Sequence, residues 1–402
     1  MRLDSDVTQI PFFDLRRQFA RLRSDLMAEL AAVCDEQSFV LGPWVQAFEN
    51  QVKAVTGTLH AFGVSSGTDA ELLILMSLGL GPGEAVITTP LSFFSTAGCI
   101  ARVGARPIFV DIDPQTLNLS ADALEDFLTC RCILTSRGLM TDGGMRVRAV
   151  IPVHLFGLCA DLDRLRNLCD RYGIALVEDA AQAIGAVYPG RSGRRLAGSV
   201  GDAGFFSFYP TKNLGAFGDA GLAVTSDDEM ADKLRIGRNH GMDPRYYHHT
   251  IGGNFRMDAL QAAVLSRKLR DLERWSTRRW QIAQRYREVL APIEGRFLQL
   301  PAEPYRGILG ACGHIYHQFV VRSPKRDALR AFLTERGIGT EVYYPVALHR
   351  QPCFASLGYQ SGDLPVAEQA AGEVLALPIF PELTEEEVEC VAQTVCSFFS
   401  DL

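Results

Sequence analysis

The chain has no long apolar run, no excess of positive charge and no paired cysteine spacing, and each absence removes a class of function. No stretch of the 402 residues approaches the about 18 consecutive apolar residues of a membrane-spanning helix. The formal net charge is −7, so no global basic field exists to hold nucleic acid or an anionic membrane, although a local cluster of donors would suffice for a small anion. The ten cysteines are scattered without a C-x-x-C pair, mostly in apolar or helical stretches where buried free thiols are the ordinary expectation. No disulfide framework and no metal site is expected from that spacing. The opening stretch MRLDSDVTQIPFFDL lacks the apolar centre of a secretion signal, and the chain carries no repeat or low-complexity tract. These absences predict a cytoplasmic protein with neither nucleic acid nor membrane as partner.

What is present is an ordinary globular composition, 47% hydrophobic and 22% charged, long enough for one large core and a smaller domain. Short apolar runs rich in β-branched residues predict strands at Ala61–Val64, Ala85–Thr89, Pro107–Val110, Arg148–Val153, Ile174–Glu178, Ala203–Phe208 and Leu222–Thr225. Helical patterns such as Asp69–Leu80, Ser95–Val103 and Leu162–Tyr172 fall between them. That alternation predicts an α/β fold with a mostly parallel sheet covered on both faces, its chemistry gathered at the carboxyl ends of the strands. From about Asp258 the pattern changes to a long charged helical stretch, then a strand-like Tyr316–Val321, a helix near Arg326–Arg336 and a terminal helix near Thr384–Phe399. A large domain over 1–260 and a small α+β domain over 261–402 are expected. The polar Thr129–Arg148 stretch reads as a surface loop insertion.

Two segments carry the chemistry. ALVEDAAQAIGA (Ala175–Ala186) is an apolar strand ending in two acids and a glutamine, and AGFFSFYPTKNL (Ala203–Leu214) places Lys212 five residues after Ser207. Most lysines are solvated, but Lys212 is flanked by Phe205, Phe206, Phe208, Tyr209 and Pro210 before it and Leu214, Ala216 and Phe217 after it. Partial burial lowers a lysine pKa and supplies the neutral amine that forms an imine with an aldehyde. A strand-end acid, a hydroxyl and such a lysine are what pyridoxal 5′-phosphate (PLP) requires: the acid pairs with the pyridine nitrogen, the hydroxyl holds the phosphate and the lysine takes the aldehyde. Asp179 supplies the acid, and Gln182 shares its face if a helical turn follows, within reach of the ring's phenolic oxygen. In GVSSGTDAELLILMSLGL (Gly63–Leu80) a strand runs into an apolar helix whose start, with Gly67 and Thr68, suits an anion, although an N-cap alone would explain it.

The chain resembles the DegT/DnrJ/EryC1/StrS family of PLP-dependent nucleotide-sugar aminotransferases. The resemblance runs in order through FFDLRRQF, FVLGPWVQAFE, SGTDA, GARPIFVDIDPQTLNL, VIPVHLFG, VEDAAQAIGA, GFFSFYPTKNLG, IGGNFRMDALQAAVL, EVYYPVALHRQPCF and LALPIFPEL. It implies PLP-dependent transferase fold type I, like aspartate aminotransferase, with a seven-stranded sheet in the large domain. It also implies a homodimer with shared active sites, and amino transfer from an amino-acid donor, L-glutamate, to a nucleotide-linked keto sugar. Carried over by position, Lys212 and Asp179 are the catalytic pair, and Gly67, Thr68, Phe93, Gln182, Ser207 and Asn254 join them around the cofactor. Phe93 stacks on the ring, and Asn254 reaches the phosphate from the neighbouring subunit. For the sugar nucleotide the candidates are His154, Arg238, His240, Tyr344 and His349. The basic cluster Arg238, His240, Arg245, His248 and His249 reads either as a grip for a diphosphate or as a solvated loop. In GDAG, Ala220 replaces the glycine usual in the family. Two rivals stand against a transaminase: a sugar dehydratase on the same fold, where a histidine typically replaces the lysine, and a non-catalytic regulatory protein.

Overall fold

The structure, a computed structural model, describes residues 9–191 and 193–400. The secretion-signal reading rests on a stretch whose first eight residues lie outside the described residues. In chain order the first half comprises α1 (Leu15–Glu36), α2 (Gly42–Thr56), β1 (His60–Val64), α3 (Gly67–Ser77), β2 (Glu84–Thr88), α4 (Ser95–Arg102), β3 (Arg106–Phe109), α5 (Ala121–Cys130), β4 (Cys132–Thr135), β5 (Gly138–Thr141), β6 (Arg146–Ile151), α6 (Leu162–Tyr172) and β7 (Ala175–Asp179). The second comprises β8 (Val187–Gly190), β9 (Gly193–Leu196), β10 (Ala203–Ser207), β11 (Gly221–Thr225), α7 (Asp228–Gly237), α8 (Ala259–Leu269), α9 (Leu272–Leu290), α10 (Arg306–Leu309), β12 (Phe319–Arg322), α11 (Arg326–Glu335), α12 (Pro365–Glu373), β13 (Val374–Leu377) and α13 (Glu385–Ser400).

The central sheet has nine strands: seven run in the order β1-β11-β10-β7-β6-β2-β3, against the seven expected in all, and β4 and β5 join it beside β6. β10, β7, β6, β2 and β3 pair in parallel, whereas β11 runs antiparallel to both β1 and β10. Each of the seven strands expected in the large domain is present, with ends shifted by no more than two residues, and the expected Tyr316–Val321 strand is β12, which starts three residues later. Successive side chains point to opposite faces, so Phe205 packs with α3, α4 and α7 while Phe206 packs with α2 and α8. Burial on both faces is why these strands read as continuous apolar runs.

Two expectations are corrected. The Thr129–Arg148 stretch is not a loop but the β4–β5 hairpin, which joins the sheet through Met140 opposite Arg146. Buried Leu139 anchors it in the core beneath α5 and α6; the turn residues at 136–138 and 142–144 masked two strands of four residues each. The long helical stretch after Asp258 is two helices, α8 and α9, broken at Arg270–Asp271. α8 packs on α1 and α2, whereas α9, α11 and α13 surround the two-stranded β12–β13 sheet with a core of Tyr286, Phe319, Leu333, Phe380 and Val391. Ala220 is buried in the large core, and its carbonyl accepts the Phe208 N–H at 2.8 Å.

Candidate active site

β7, β10 and the start of α3 converge on a cavity of about 480 Å³. Asp179, the last residue of β7, is 4% exposed there. Its backbone bridges to the end of β6: its N–H donates to the Pro152 carbonyl at 3.0 Å, and its carbonyl accepts the His154 N–H at 2.9 Å. Thr96 Oγ1 donates to Asp179 Oδ2 at 2.9 Å and the Ala181 N–H donates to Oδ1 at 3.1 Å. Since Thr96 gives its proton to Asp179, the Ser92 hydroxyl 2.9 Å away is the donor to Thr96. Burial pushes the Asp179 pKa up; these two donors, Lys212 and His154 oppose that shift without cancelling it.

Lys212 stands in the turn after β10, where its N–H donates to the Tyr209 carbonyl at 2.8 Å. Its side chain is half-buried in the open cavity, and desolvation draws the ammonium pKa down to about 8 against the pull of Asp179. A neutral amine is therefore accessible near neutral pH. Gln182, in the turn after β7, accepts the Phe156 N–H at 2.7 Å and donates to the Tyr344 hydroxyl at 3.0 Å, so both ends of its amide are oriented.

Helix α3 begins at the opposite wall. Ser66 caps it, its Oγ accepting the Asp69 N–H at 3.0 Å, while the first-turn amides of Gly67 and Thr68 have no acceptor within the helix. Capping and anion binding therefore coexist here, because the cap uses a different amide from those on the cavity wall. A Cβ on Gly67 would lie 2.7 Å from Ser207 Cβ, so only glycine lets the helix start meet the end of β10. Phe93 stands at the mouth, 57% exposed.

Gly67, Thr68, Phe93, Asp179, Gln182, Ser207, Lys212 and Tyr344 are thus brought together. Other predicted positions are not. His154 is fully buried: its Nδ1 accepts the Ala160 N–H at 3.2 Å, so Nε2 donates to Glu178 at 2.8 Å. Glu178 also accepts the Gly198, Val200 and Gly201 N–H groups, which with His154 hold its carboxyl below the ordinary range despite burial. His349 is buried against Glu368 at 2.9 Å, beside Phe109. Arg238 pairs with Glu49, donates to the Gly63 carbonyl at 3.0 Å and lies over the Phe62 ring. His240 and Asn254 are exposed outside the cavity, on the loop where Asn239 bridges to Asn254.

Sequence reasoning missed His317 and Gln318, which reach the cavity from the C-terminal part of the chain. His317 Nδ1 donates to Asn213 Oδ1 at 3.1 Å, and burial, with Lys212 and Arg279 nearby, drives its pKa well down, so the imidazole is neutral. Buried Arg279 of α9 sets this loop by donating to the carbonyls of Tyr316, His317 and Ile379 at 3.2, 3.2 and 2.7 Å. Glu71 was also missed. It is fully buried in α3, and desolvation followed by the charge of Asp179 raises its pKa far above the carboxylate range. An acid inside the apolar run AELLILM was the available signal.

These residues fit PLP by chemistry and by space. A buried carboxylate, a half-buried amine, an oriented amide and a helix start cleared of Cβ atoms surround one cavity. The sequence profile of the DegT/DnrJ/EryC1/StrS aminotransferase family matches residues 20–396. A pleiotropic regulatory protein of Geobacillus stearothermophilus is 44% identical over 97% of this chain and 98% of its own length. The UDP-N-acetyl-3-dehydro-alpha-D-glucosamine 3-aminotransferase of Acidithiobacillus ferrooxidans is 39% identical over 96% of this chain and 97% of its own. Among solved structures, NtdA of Bacillus subtilis with its cofactor PMP bound superimposes with a TM-score of 0.85 at 28% identity, covering 99% of this chain and 87% of that one. With the cavity, the profile and these relatives in agreement, the chain is a PLP enzyme of fold type I and belongs to the DegT/DnrJ/EryC1/StrS aminotransferase family.

Proposed function

We propose that the chain moves an amino group from L-glutamate to the keto carbon of a dTDP- or UDP-linked deoxy or keto hexose. The product would serve amino-sugar, cell-surface polysaccharide or secondary-metabolite biosynthesis in the cytoplasm. The observation that carries this reading is the convergence of Lys212, Asp179, Gln182, Ser207 and the Gly67–Thr68 helix start on one cavity. When bound, PLP supplies an aldehyde that carries the amino group and a ring that accepts electrons. Asp179 is assigned to the ring nitrogen, which its carboxylate keeps protonated. Gln182 is assigned to the phenolic oxygen, Ser207, Gly67 and Thr68 to the phosphate, and Phe93 to one face of the ring. Lys212 Nζ holds the aldehyde between turnovers and carries the proton to and from the substrate carbon, a role contributing about 10²–10⁴-fold in rate.

The substrate side is assigned differently. Tyr344, oriented by Gln182, is a contact within the cavity, whereas His154, Arg238 and His349 are assigned to supporting the fold, since each pairs with a carboxylate outside the cavity lining, Glu178, Glu49 and Glu368 respectively. Asn254 and the His240 loop are assigned to the active site of a partner subunit in a homodimer; their exposure supports this. The division between large and small domains, expected near residue 260, is placed after α8, which packs on α1 and α2, and both domains are read as contributing to the cavity because His317 and Tyr344 line it together with Asp179. Lys212 argues against a dehydratase, and a purely regulatory protein has no use for an amine of lowered pKa beside a buried acid. The test is incubation with PLP, L-glutamate and a panel of dTDP- and UDP-keto hexoses, read by mass spectrometry. A keto-to-amine mass change supports the reading; failure to convert glutamate to 2-oxoglutarate in a half-reaction contradicts it.

A further inference from the structure

A second lysine outside the cavity is buried without a carboxylate partner. Lys268, in the last turn of α8, is 2% exposed, and no ion pair involves it among the described residues. Its Nζ donates to the Gly215 carbonyl at 2.6 Å and lies 5.5 Å from the centroid of the Phe217 ring. About two turns earlier on the same face of α8, Gln261 Oε1 accepts the Phe217 N–H at 2.8 Å. Helix α8 therefore grips the segment after Lys212 at two points. That segment is folded tightly back on itself: the Ala216 N–H donates to the Phe208 carbonyl at 2.8 Å, and a Cβ on Gly215 would fall 2.1 Å from the Pro210 carbonyl oxygen. Gly215 thus presses on the residues just before Lys212, and whatever holds Gly215 holds both sides of the turn.

We propose that Lys268 is a positioning residue that acts through Lys212: by holding the Gly215 carbonyl from α8 it fixes the turn that presents the Lys212 amine to the cavity. The significance for catalysis rests on the role given to Lys212 above. A buried ammonium is an expensive way to bind one carbonyl, and a methionine would fill the same space without desolvating a charge. Burial brings the Lys268 pKa down to about 8 against the attraction of Glu382, and Glu382 in turn faces Arg279 and Arg21. The grip is charge-assisted at neutral pH, which makes it stiffer than a neutral hydrogen bond would be.

The test compares wild type, K268M and K268R as full-length proteins by hydrogen exchange without cofactor and by absorbance titration with PLP. In K268M, exchange at the 212–217 amides should accelerate by at least about tenfold while the β10 and β11 amides keep their protection. The fraction of PLP held covalently should fall, and the pH of its absorbance transition should shift. K268R, which keeps a cation and donors, should recover most of the protection. Uniform acceleration through the sheet would show a merely structural brace and overturn the proposal, as would unchanged exchange at 212–217 in K268M. If K268M does not fold, K268Q takes its place: acceleration confined to 212–217 supports the proposal, and unchanged exchange there or uniform acceleration through the sheet overturns it. Borohydride trapping of wild-type protein separates this from the earlier reading. A label away from Lys212 refutes the role of Lys212, whereas the exchange result stands or falls without cofactor.

Discussion

The turn at 208–217 and the loop at 238–254 are both dense in side chains suited to catalysis, yet of the two only the first lines the cavity where β7, β10 and α3 converge. The turn follows β10 in the sheet, and its Lys212 meets Asp179 from the neighbouring parallel strand β7. The loop ties its groups to itself: His248 Nδ1 bonds the His240 carbonyl at 2.8 Å, His249 bonds the Asp243 carbonyl, and Arg245 lies over Tyr246. Tyr246, Tyr247 and Ile251 are left exposed. Position at the end of a parallel strand converts a residue type into a site, whereas density of polar residues in a loop does not.

The sharpest way to break this comparison is at the turn. K212A should reduce transamination by about 10⁴-fold, the upper range for a positioned acid–base group, measured as glutamate half-reaction rates. Retained turnover within tenfold of wild type would move the chemistry elsewhere. D179N nearly keeps the shape of Asp179 but removes its charge and one of the two oxygens that accept from Thr96 and Ala181. It should slow the half-reaction by at least about 10²-fold while the protein remains folded by circular dichroism.

The loop is probed by subunit mixing. N254A should weaken PLP binding by about 1.5–3 kcal/mol, the value of a hydrogen bond to a charged group. Mixed with inactive K212A subunits it should regain activity, because some hybrid dimers contain one site with both residues intact. Activity no greater than the sum of the parents would place Asn254 outside the partner's site. The smallest catalytic effect is expected at Arg238, whose guanidinium is taken up by Glu49 and the Gly63 carbonyl. R238M should lower unfolding free energy by about 1.5–3 kcal/mol in urea titrations, with turnover within about threefold of wild type. A large rise in KM for the sugar nucleotide with unchanged stability would return Arg238 to the substrate.

The same contrast explains what the sequence revealed. The seven strands from β1 to β3 in the sheet order were legible because they are buried and read as apolar runs, and Lys212 and Asp179 were legible because their own segments frame them, whereas the exposed strands β4 and β9 carry no such signal. His154 and His349 do not line the cavity: their partners, Glu178 and Glu368, sit on faces that residue type does not reveal. His317 was invisible for a related reason. It depends on Arg279 of α9 to carry its loop to the cavity, and no local pattern encodes that contact. The β4–β5 hairpin was hidden by its own turn residues.

Two lysines in this protein have pKa values drawn down to about 8, Lys212 in the cavity and Lys268 behind its turn, and they make the decisive measurement discriminating. Cofactor-free protein is loaded with PLP at a series of pH values, reduced with borohydride and mapped by peptide mass spectrometry. The neutral amine is the nucleophile, so the rate of labelling should rise by about tenfold per pH unit below pH 8 and level off above it. The account predicts a single phosphopyridoxyl group on Lys212, and a label on Lys268 or any other lysine would contradict it.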